Sequence, residues 1–137
     1  MRDAECFLDT SVLLYLLSSQ GDKAKRVEEL LEGKVAVSVQ VLNEFASVAL
    51  RKRALTLEEV REFLHDVREL CSTQPLTLQV HDLGLEIAGR YGFSLYDSMI
   101  VASALHAECR TLFSEDLQHG QVIDKRLKVV NPFTARA

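Results

Sequence analysis

The sequence predicts an α/β protein in which a mainly parallel sheet of five strands, some of them short, has helices on both faces. The first observation behind this prediction is that short apolar segments alternate with longer segments whose apolar residues recur at helical spacing. The second is that two prolines and six glycines offer no flexible linker, and no internal repeat is present. Parallel strands are joined by right-handed crossovers, so alternating strands and helices cover both sides of the sheet. We therefore expect one domain spanning residues 1–137.

The first half of the chain contains the signals for two strands and three helices. The apolar run Cys6-Phe7-Leu8 predicts the first strand, and Thr10 or Ser11 would cap the helix that follows it. Asp22 is expected to cap the second helix and Gly33 to end it. The predicted elements are a strand over residues 5–9, a helix after residue 10, a helix over 23–32, a strand over 35–39 and a helix over 41–53.

The second half repeats the alternation with three helices and three strands. Thr56 and Glu59 have the spacing of a capping box, which marks the start of a helix. Gly92 is expected to end the next helix, and Ser94 to open the last one. The predicted elements are a helix from residue 56 to about 71, a short strand over 76–78, a helix over 80–91, a helix from 94 to about 109, a strand over 111–114 and a strand over 127–130.

Four acidic residues lie in or beside apolar segments, where a carboxylate is unexpected. Asp9 and Asp116 each follow a predicted strand. Asp97 opens an apolar helix, and Glu44 interrupts the apolar pattern of another. Ligands of open parallel sheets bind beyond the carboxyl ends of the strands, so Asp9 and Asp116 are expected at one edge. If the fold gathers all four carboxylates, protons or a hard cation must relieve their repulsion. The leading hypothesis is a divalent-metal site for phosphate chemistry.

Each of these acids also has a purely structural explanation. Asp9 could cap the first helix, and Asp116 could belong to a polar turn in which Glu115 takes its place as a ligand. Asp97 stands in the third position of its helix, where an acid commonly returns a hydrogen bond to the cap. Glu44 lies on the shoulder of a buried stripe, where exposed glutamates are common. The hypothesis therefore depends on the four acids occurring together.

The charge of the chain limits the classes of function. The net charge is −4, from 16 basic and 20 acidic residues, whereas a general nucleic-acid-binding protein is basic. A nuclease is not excluded, because an acidic metal site concentrates negative charge locally and short basic segments elsewhere can hold phosphate. Candidate segments are residues 23–26, 51–53 and 125–128, although a solvated helix surface explains each of them more simply.

Other composition signals point to a cytoplasmic protein. The three cysteines and four histidines lack the spacing of zinc ligands, so the thiols are expected to be reduced. No apolar run approaches the ~20 residues of a membrane span. The N-terminus has no export signal. We therefore expect no contact with a membrane.

Four motif-like segments contain the four acids and follow one another along nearly the whole chain. They are Phe7-Leu8-Asp9-Thr10-Ser11-Val12-Leu13-Leu14-Tyr15-Leu16, Val41-Leu42-Asn43-Glu44-Phe45, Tyr96-Asp97-Ser98-Met99-Ile100-Val101-Ala102-Ser103-Ala104-Leu105 and Leu112-Phe113-Ser114-Glu115-Asp116-Leu117-Gln118-His119-Gly120. In this order the segments resemble the motifs of the PIN-domain nucleases. The closing run Val129-Val130-Asn131-Pro132-Phe133 is similar to the last strand of that family. Within the family the chain is most similar to VapC-type toxins.

The resemblance implies a three-layer PIN-like fold and a Mg²⁺- or Mn²⁺-dependent endoribonuclease. RNA would be the substrate, a small VapB-type antitoxin the partner, and a homodimer the assembly. Direct metal ligands would be Asp9 together with Asp116 or Asp97, while Glu44 would act mainly through a water. The residues implied in supporting positions around them are Thr10, Ser11, Ser114 and Glu115.

The chain departs modestly from the family pattern. Ser11 stands where Asn is frequent, Ser98 where Ala is frequent, and Ser114 where Thr is frequent. Ser11 and Ser114 keep hydroxyls that can orient a carboxylate, so the acids themselves are not put in doubt. The alternative function is a non-catalytic PIN-like module that binds RNA or protein. A haloacid-dehalogenase-type phosphotransferase is disfavoured, because it needs a second acid at the position of Ser11.

Overall fold

The computed structural model describes residues 4–134 of the chain, and this part contains six α-helices and six β-strands. A single 3₁₀ turn, Leu14–Leu17, follows directly on the first helix. The helices are α1 Thr10–Leu13, α2 Gly21–Leu31, α3 Val39–Arg51, α4 Leu57–Leu70, α5 Leu78–Tyr91 and α6 Leu95–His106. The strands are β1 Cys6–Leu8, β2 Val35–Ser38, β3 Ser72–Gln74, β4 Thr111–Phe113, β5 Val122–Ile123 and β6 Leu127–Val130.

The strands form one sheet with the order β3-β2-β1-β4-β6-β5. Every neighbouring pair is parallel except β5 and β6, which are antiparallel. The predicted α/β class and mainly parallel sheet are confirmed, and the predicted count of five strands is wrong for the described residues 4–134. The strand that was missed is β5, which has only two residues and therefore no readable alternation pattern.

The short strand predicted over residues 76–78 is also wrong. The third strand is Ser72–Gln74, which pairs with β2 through Ala36 and Ser72. Residue 78 instead begins α5, because the Thr77 hydroxyl accepts a hydrogen bond from the Val80 amide and caps that helix. Polar residues form β3, and its place in the sheet depends on pairing with β2 rather than on its own apolar pattern.

Helix ends follow the capping signals in the second half of the chain better than in the first. The capping box of Thr56 and Glu59 is confirmed, and Gly92 ends α5 with a φ of 75°. In the first half, α2 begins at Gly21 without a side-chain cap, and Asp22 lies in its first turn. Helix α3 begins at Val39, two residues earlier than predicted, because the Ser38 hydroxyl caps it.

The buried core lies around the central strands of the sheet. All of β2, Phe7 and Leu8 of β1 and Leu112 of β4 are buried, as in a parallel sheet covered on both faces. Leu13 of α1 and Leu30 and Leu31 of α2 pack into this core. Each helix within residues 4–134 is too short or too polar to cross a membrane.

The sheet brings the ends of two central strands side by side. Leu8 pairs with Phe113 in the parallel register of β1 and β4, and the amide of Asp9 donates to the carbonyl of Phe113 at 3.0 Å. Asp9 and Ser114 therefore leave the sheet next to each other. Residues over 100 positions apart in sequence meet at this edge, where a ligand site of a parallel sheet is expected.

Candidate acidic active site

Asp9 is the buried centre of the site, with only 3% of its surface exposed. It is the N-cap of α1, a role the sequence assigned first to Thr10 or Ser11. Three donors surround the carboxylate: Thr10 N donates to Oδ1 at 2.7 Å, Ser11 Oγ to Oδ2 at 3.0 Å and Ser114 Oγ to Oδ2 at 2.7 Å. The prediction of Thr10 or Ser11 as cap is wrong. The hydrogen bonding of the sheet extends to the Asp9 amide, and the helix begins at the very next residue, Thr10.

Burial raises the pKa of Asp9 to about 6 from its ordinary value of 3.8. The hydrogen bonds from Ser114 and Ser11 oppose this rise, whereas the negative charges of Asp97 and Asp116 add to it. Two of the other predicted acids are therefore close enough to act on Asp9 through their charge. A buried carboxyl with a raised pKa beside other acids is typical of a functional site.

Asp97 and Asp116 are less buried, and the same physical causes act on them. The pKa of Asp97 is raised by burial and by the charge of Glu44, while its hydrogen bond with the Ser94 cap opposes the rise. The pKa of Asp116 is raised by burial and by the charges of Asp97 and Glu115. These mutual effects link the four acids in one chain of neighbours, from Glu44 to Asp97 and from there to Asp9 and Asp116. The predicted convergence of Asp9, Glu44, Asp97 and Asp116 thus has an electrostatic counterpart in the fold.

Glu44 has a hydrogen-bond partner that the sequence reasoning missed. The side-chain amide of Gln40 donates to Glu44 Oε2 at 2.8 Å, one helical turn earlier in α3. Gln40 is itself buried, with 8% of its surface exposed. The spacing of four residues between Gln40 and Glu44 was the available signal.

Ser114 connects two of the acids through one hydroxyl group. Its Oγ donates to Asp9 and accepts the amides of Asp116 and Leu117, both at 3.2 Å. Ser11 Oγ makes a similar connection to the residue between Ser114 and Asp116: it donates to Asp9 and accepts a hydrogen bond from the amide of Glu115 at 3.1 Å. The two serines therefore fix the turn after β4 against Asp9, as expected for residues that orient a carboxylate.

Unlike the two serines, three other residues of the motif-like segments do not hold the acids through their side chains. The Thr10 hydroxyl is buried without a hydrogen-bond partner in residues 4–134, and only its amide reaches Asp9. Both oxygens of Glu115 are bonded elsewhere, one to Tyr15 and one to Lys23. His119 Nδ1 accepts the amide of Asn131 at 2.9 Å, which gives this exposed histidine a structural contact at the end of β6.

Tyr96, which precedes Asp97, is 60% exposed rather than part of the core. Met99 and Ile100 of the same helix are buried, while Tyr96 lies in the first turn of α6 on the outside. An exposed aromatic ring therefore lies next to one of the acids.

The carboxylate oxygens of the four acids suit a hard cation, although the acids do not form a complete coordination site. Carboxylate oxygens are the ligands that Mg²⁺ and Mn²⁺ prefer, and sulfur or imidazole ligands are not part of the group. Within residues 4–134, no three His, Cys, Asp or Glu side chains converge closely enough to form a ready-made metal site. The open arrangement fits Mg²⁺, which retains several waters and binds through one or two carboxylates.

A family comparison agrees with this geometry. The family model described as the PIN domain matches residues 6–125. The chain belongs to the PIN domain family. The match to this PIN domain includes β1 through β5 and all four acids. Among curated protein sequences, no significant match to the chain is found.

Solved structures share the fold of this PIN domain at low sequence identity. A toxin–antitoxin complex from Klebsiella pneumoniae is similar with a TM-score of 0.71 and 17% identity, over 93% of this chain and 98% of the other. VapC20 from Mycobacterium tuberculosis, described as a sarcin-ricin loop cleaving toxin, has a TM-score of 0.66 and 17% identity over 81% and 91%. DNA-bound VapBC from Salmonella typhimurium has a TM-score of 0.67 and 16% identity over 92% and 98%.

Proposed function

We propose that this PIN domain is a Mg²⁺- or Mn²⁺-dependent endoribonuclease and the toxin of a VapBC-type pair. The observation that carries the proposal is the acidic site itself. Asp9, Glu44, Asp97 and Asp116 come from four separate parts of the chain. The charge of Glu44 raises the pKa of Asp97, and the charge of Asp97 raises the pKa of both Asp9 and Asp116. Such a concentration of carboxylates opposes folding unless a ligand uses it, and divalent cations are the ligands that suit it.

Each acid has a distinct place in this proposal. Asp9 is held by three donors and is the fixed ligand, and Asp97 and Asp116 are the more exposed ligands beside it. Glu44 keeps one oxygen on Gln40, so its other oxygen is available to orient a water as a base. A divalent cation bound here would supply an activated water and neutralise charge on the phosphodiester.

The surroundings of the site support single-stranded RNA as the substrate. Tyr96 is exposed directly beside Asp97, where its ring can stack on an unpaired base. Arg51, Lys52 and Arg53 are exposed at the end of α3, the helix that carries Glu44. Basic side chains at the end of this helix can bind phosphates while the acids remain available to the metal.

Toxin function and partners rest on the structural relatives. The solved structures that share the fold include toxin–antitoxin complexes and a toxin described as cleaving the sarcin-ricin loop. They support our proposal of a VapB-type antitoxin as the partner. The proposed homodimer and cytoplasmic location come from the resemblance of the sequence motifs and the composition instead. The non-catalytic alternative would not require all four acids, and all four are present in this chain.

RNA cleavage by the purified chain tests the nuclease proposal. A single-stranded RNA is incubated with the protein in Mn²⁺, in Mg²⁺ and in EDTA. We expect cleavage with either ion and none in EDTA. The variants Asp97→Asn and Asp116→Asn should each lose at least about 100-fold in rate, because a neutral amide is a poor ligand for a hard cation.

The control for these variants is Asp82→Asn, which removes an exposed aspartate of α5 that takes no part in the acidic site. It should cleave RNA at the rate of the unchanged chain. Cleavage that persists in EDTA, or that survives the loss of Asp97 and Asp116, would contradict the assignment. Binding of RNA without cleavage in any ion would favour the non-catalytic module.

A further inference from the structure

A second polar cluster lies beside the acidic site, outside the four motif acids. Its members are Lys23 of α2, Tyr15 of the 3₁₀ turn and Glu115 of the turn after β4. Lys23 Nζ donates to Glu115 Oε2 at 2.9 Å and to the Tyr15 hydroxyl at 3.1 Å. The Tyr15 hydroxyl donates to Glu115 Oε1 at 2.5 Å. Both oxygens of Glu115 are therefore held by residues about 100 positions earlier in the chain.

Two aromatic rings help to hold the ammonium group of the lysine. Lys23 Nζ lies 4.6 Å from the centre of the Tyr15 ring and 5.1 Å from the centre of the Phe133 ring. The two rings pack edge to face, with their centres 4.9 Å apart. An ammonium group held over two aromatic faces gains a favourable interaction with each of them. The lysine is therefore more strongly held than an ordinary surface ion pair.

The cluster is connected to the acidic site through one short turn. Glu115 stands between Ser114, which donates to Asp9, and Asp116, one of the four acids. The Glu115 amide also donates to Ser11 Oγ, which in turn donates to Asp9. A contact that fixes the Glu115 side chain thus limits the motion of the residues on both sides of it.

We propose that Lys23 is a positioning residue of the active site, which together with Tyr15 holds Glu115 and so fixes the turn that presents Asp116 to the metal. This inference rests on the proposed function. Lys23 neutralises Glu115, keeps a fifth carboxylate from competing for the cation, and orders the turn before a cation binds. A preordered turn binds its ligand more tightly, because the ordering cost has already been met by the fold.

The sign of the effect on metal affinity distinguishes this role from simple charge. Removing a positive charge near an acidic site should by itself tighten the binding of a cation, because repulsion falls. Loss of the positioning contact should weaken binding, because the turn must then be ordered by the cation. Weaker binding after loss of Lys23 is therefore an outcome that the charge alone cannot produce.

The decisive variant is Lys23→Met, whose apolar chain can still pack on the Tyr15 and Phe133 rings. Tyr15→Phe removes only the hydroxyl, and Lys23→Arg keeps the positive charge and donors. Lys25→Met is the matched control, since it removes an exposed lysine from the same helix. Two quantities are measured for each protein: amide hydrogen exchange at Glu115 and Asp116 without metal, and Mn²⁺ affinity by calorimetry.

We expect Lys23→Met to exchange the amides of Glu115 and Asp116 about fivefold faster and to bind Mn²⁺ about fivefold more weakly. Tyr15→Phe should change both quantities in the same direction as Lys23→Met. Lys23→Arg should give the exchange rate and Mn²⁺ affinity of the unchanged chain. Lys25→Met should leave the exchange unchanged and bind Mn²⁺ equally or slightly more tightly. Exchange in Lys23→Met equal to that of the unchanged chain, or tighter Mn²⁺ binding, would overturn the inference.

The two readouts separate this inference from the proposed function. If the unchanged chain binds no Mn²⁺, the nuclease proposal fails, and the exchange rates alone decide whether Lys23 positions the turn. If the unchanged chain binds Mn²⁺ and all variants match it in both quantities, the nuclease proposal stands and the positioning role of Lys23 is wrong.

Discussion

Asp9 carries the largest electrostatic cost among the residues of the acidic site. Its burial raises its pKa to about 6, although three donors contact its oxygens. Desolvation is therefore stronger than hydrogen bonding at this position. Asp97 and Asp116 show the same direction of change, since burial and neighbouring charge raise the pKa of each.

The raised pKa of Asp9 predicts that the metal-free protein loses stability as the pH rises. An acid whose pKa is higher in the folded state than in the unfolded state binds more protons when folded. The free energy of unfolding then falls as the pH rises from the ordinary value of 3.8 through about 6. Between pH 5 and 7, ionisation of Asp9 should lower the free energy of unfolding by about 1 kcal/mol. Urea denaturation in EDTA at a series of pH values measures it.

Asp9→Asn is the control for this pH dependence, because an amide has the same shape and no charge. We expect the variant to lose most of the slope between pH 5 and 7 and to be the more stable protein at pH 7 without metal. An unchanged slope in Asp9→Asn would show that the pH dependence comes from other groups.

At the scale of elements, the contact between α5 and α6 positions the first turn of α6, which contains Asp97. Gly84 of α5 is buried against Met99 of α6, two residues after Asp97. A Cβ atom added at Gly84 would lie 2.6 Å from Met99 Sδ and 3.4 Å from Met99 Cα. A side chain at position 84 would therefore force the buried Met99 side chain to move, and this packing contact, not a special backbone conformation, distinguishes the glycine.

Gly84→Ala should destabilise the protein by about 1–2 kcal/mol, because overpacking against Met99 exceeds the gain in helix propensity. Gly89→Ala in the same helix is the matched control, since nothing lies within 4 Å of its added Cβ. It should raise stability by about 0.5–1 kcal/mol. Thermal and urea denaturation of both variants measure the difference. Equal stability of the two variants would mean that α5 and α6 are less tightly packed than the structure indicates.

At the scale of the whole molecule, several large apolar side chains are exposed, and four of them belong to α5 and the start of α6. Leu78 and Leu85 of α5 are 76% and 49% exposed, and they lie on one face because two helical turns separate them. Leu95 and Tyr96 at the start of α6 are also exposed. We propose that these exposed side chains of α5 and α6 belong to the surface that a second copy of the chain covers.

Light scattering of the purified chain tests the homodimer. We expect a mass about twice the 15.4 kDa of one chain, since burial of exposed leucines favours association. The double variant Leu78→Glu/Leu85→Glu should be monomeric, whereas Leu57→Glu, at an exposed leucine of α4, should remain dimeric. The proposed dimer would be contradicted if light scattering gave the mass of a single copy of the unchanged chain, both alone and when it is co-expressed with an antitoxin.

The sequence by itself determined the α/β class, the order of most strands and helices, and the four acids of the candidate site. These depend on local signals: apolar periodicity, capping residues such as Thr56 and Gly92, and an acid placed where an apolar residue is expected.

Only the tertiary structure decided the features that need contacts between distant parts of the chain. Strand β3 was placed by pairing with β2, and β5 by pairing with β6. The pKa of Asp9 depends on its burial and on charges from other elements, and the Lys23 contact with Glu115 spans 92 positions. No local pattern encodes such contacts, because their energy arises only after the sheet has brought the two segments together.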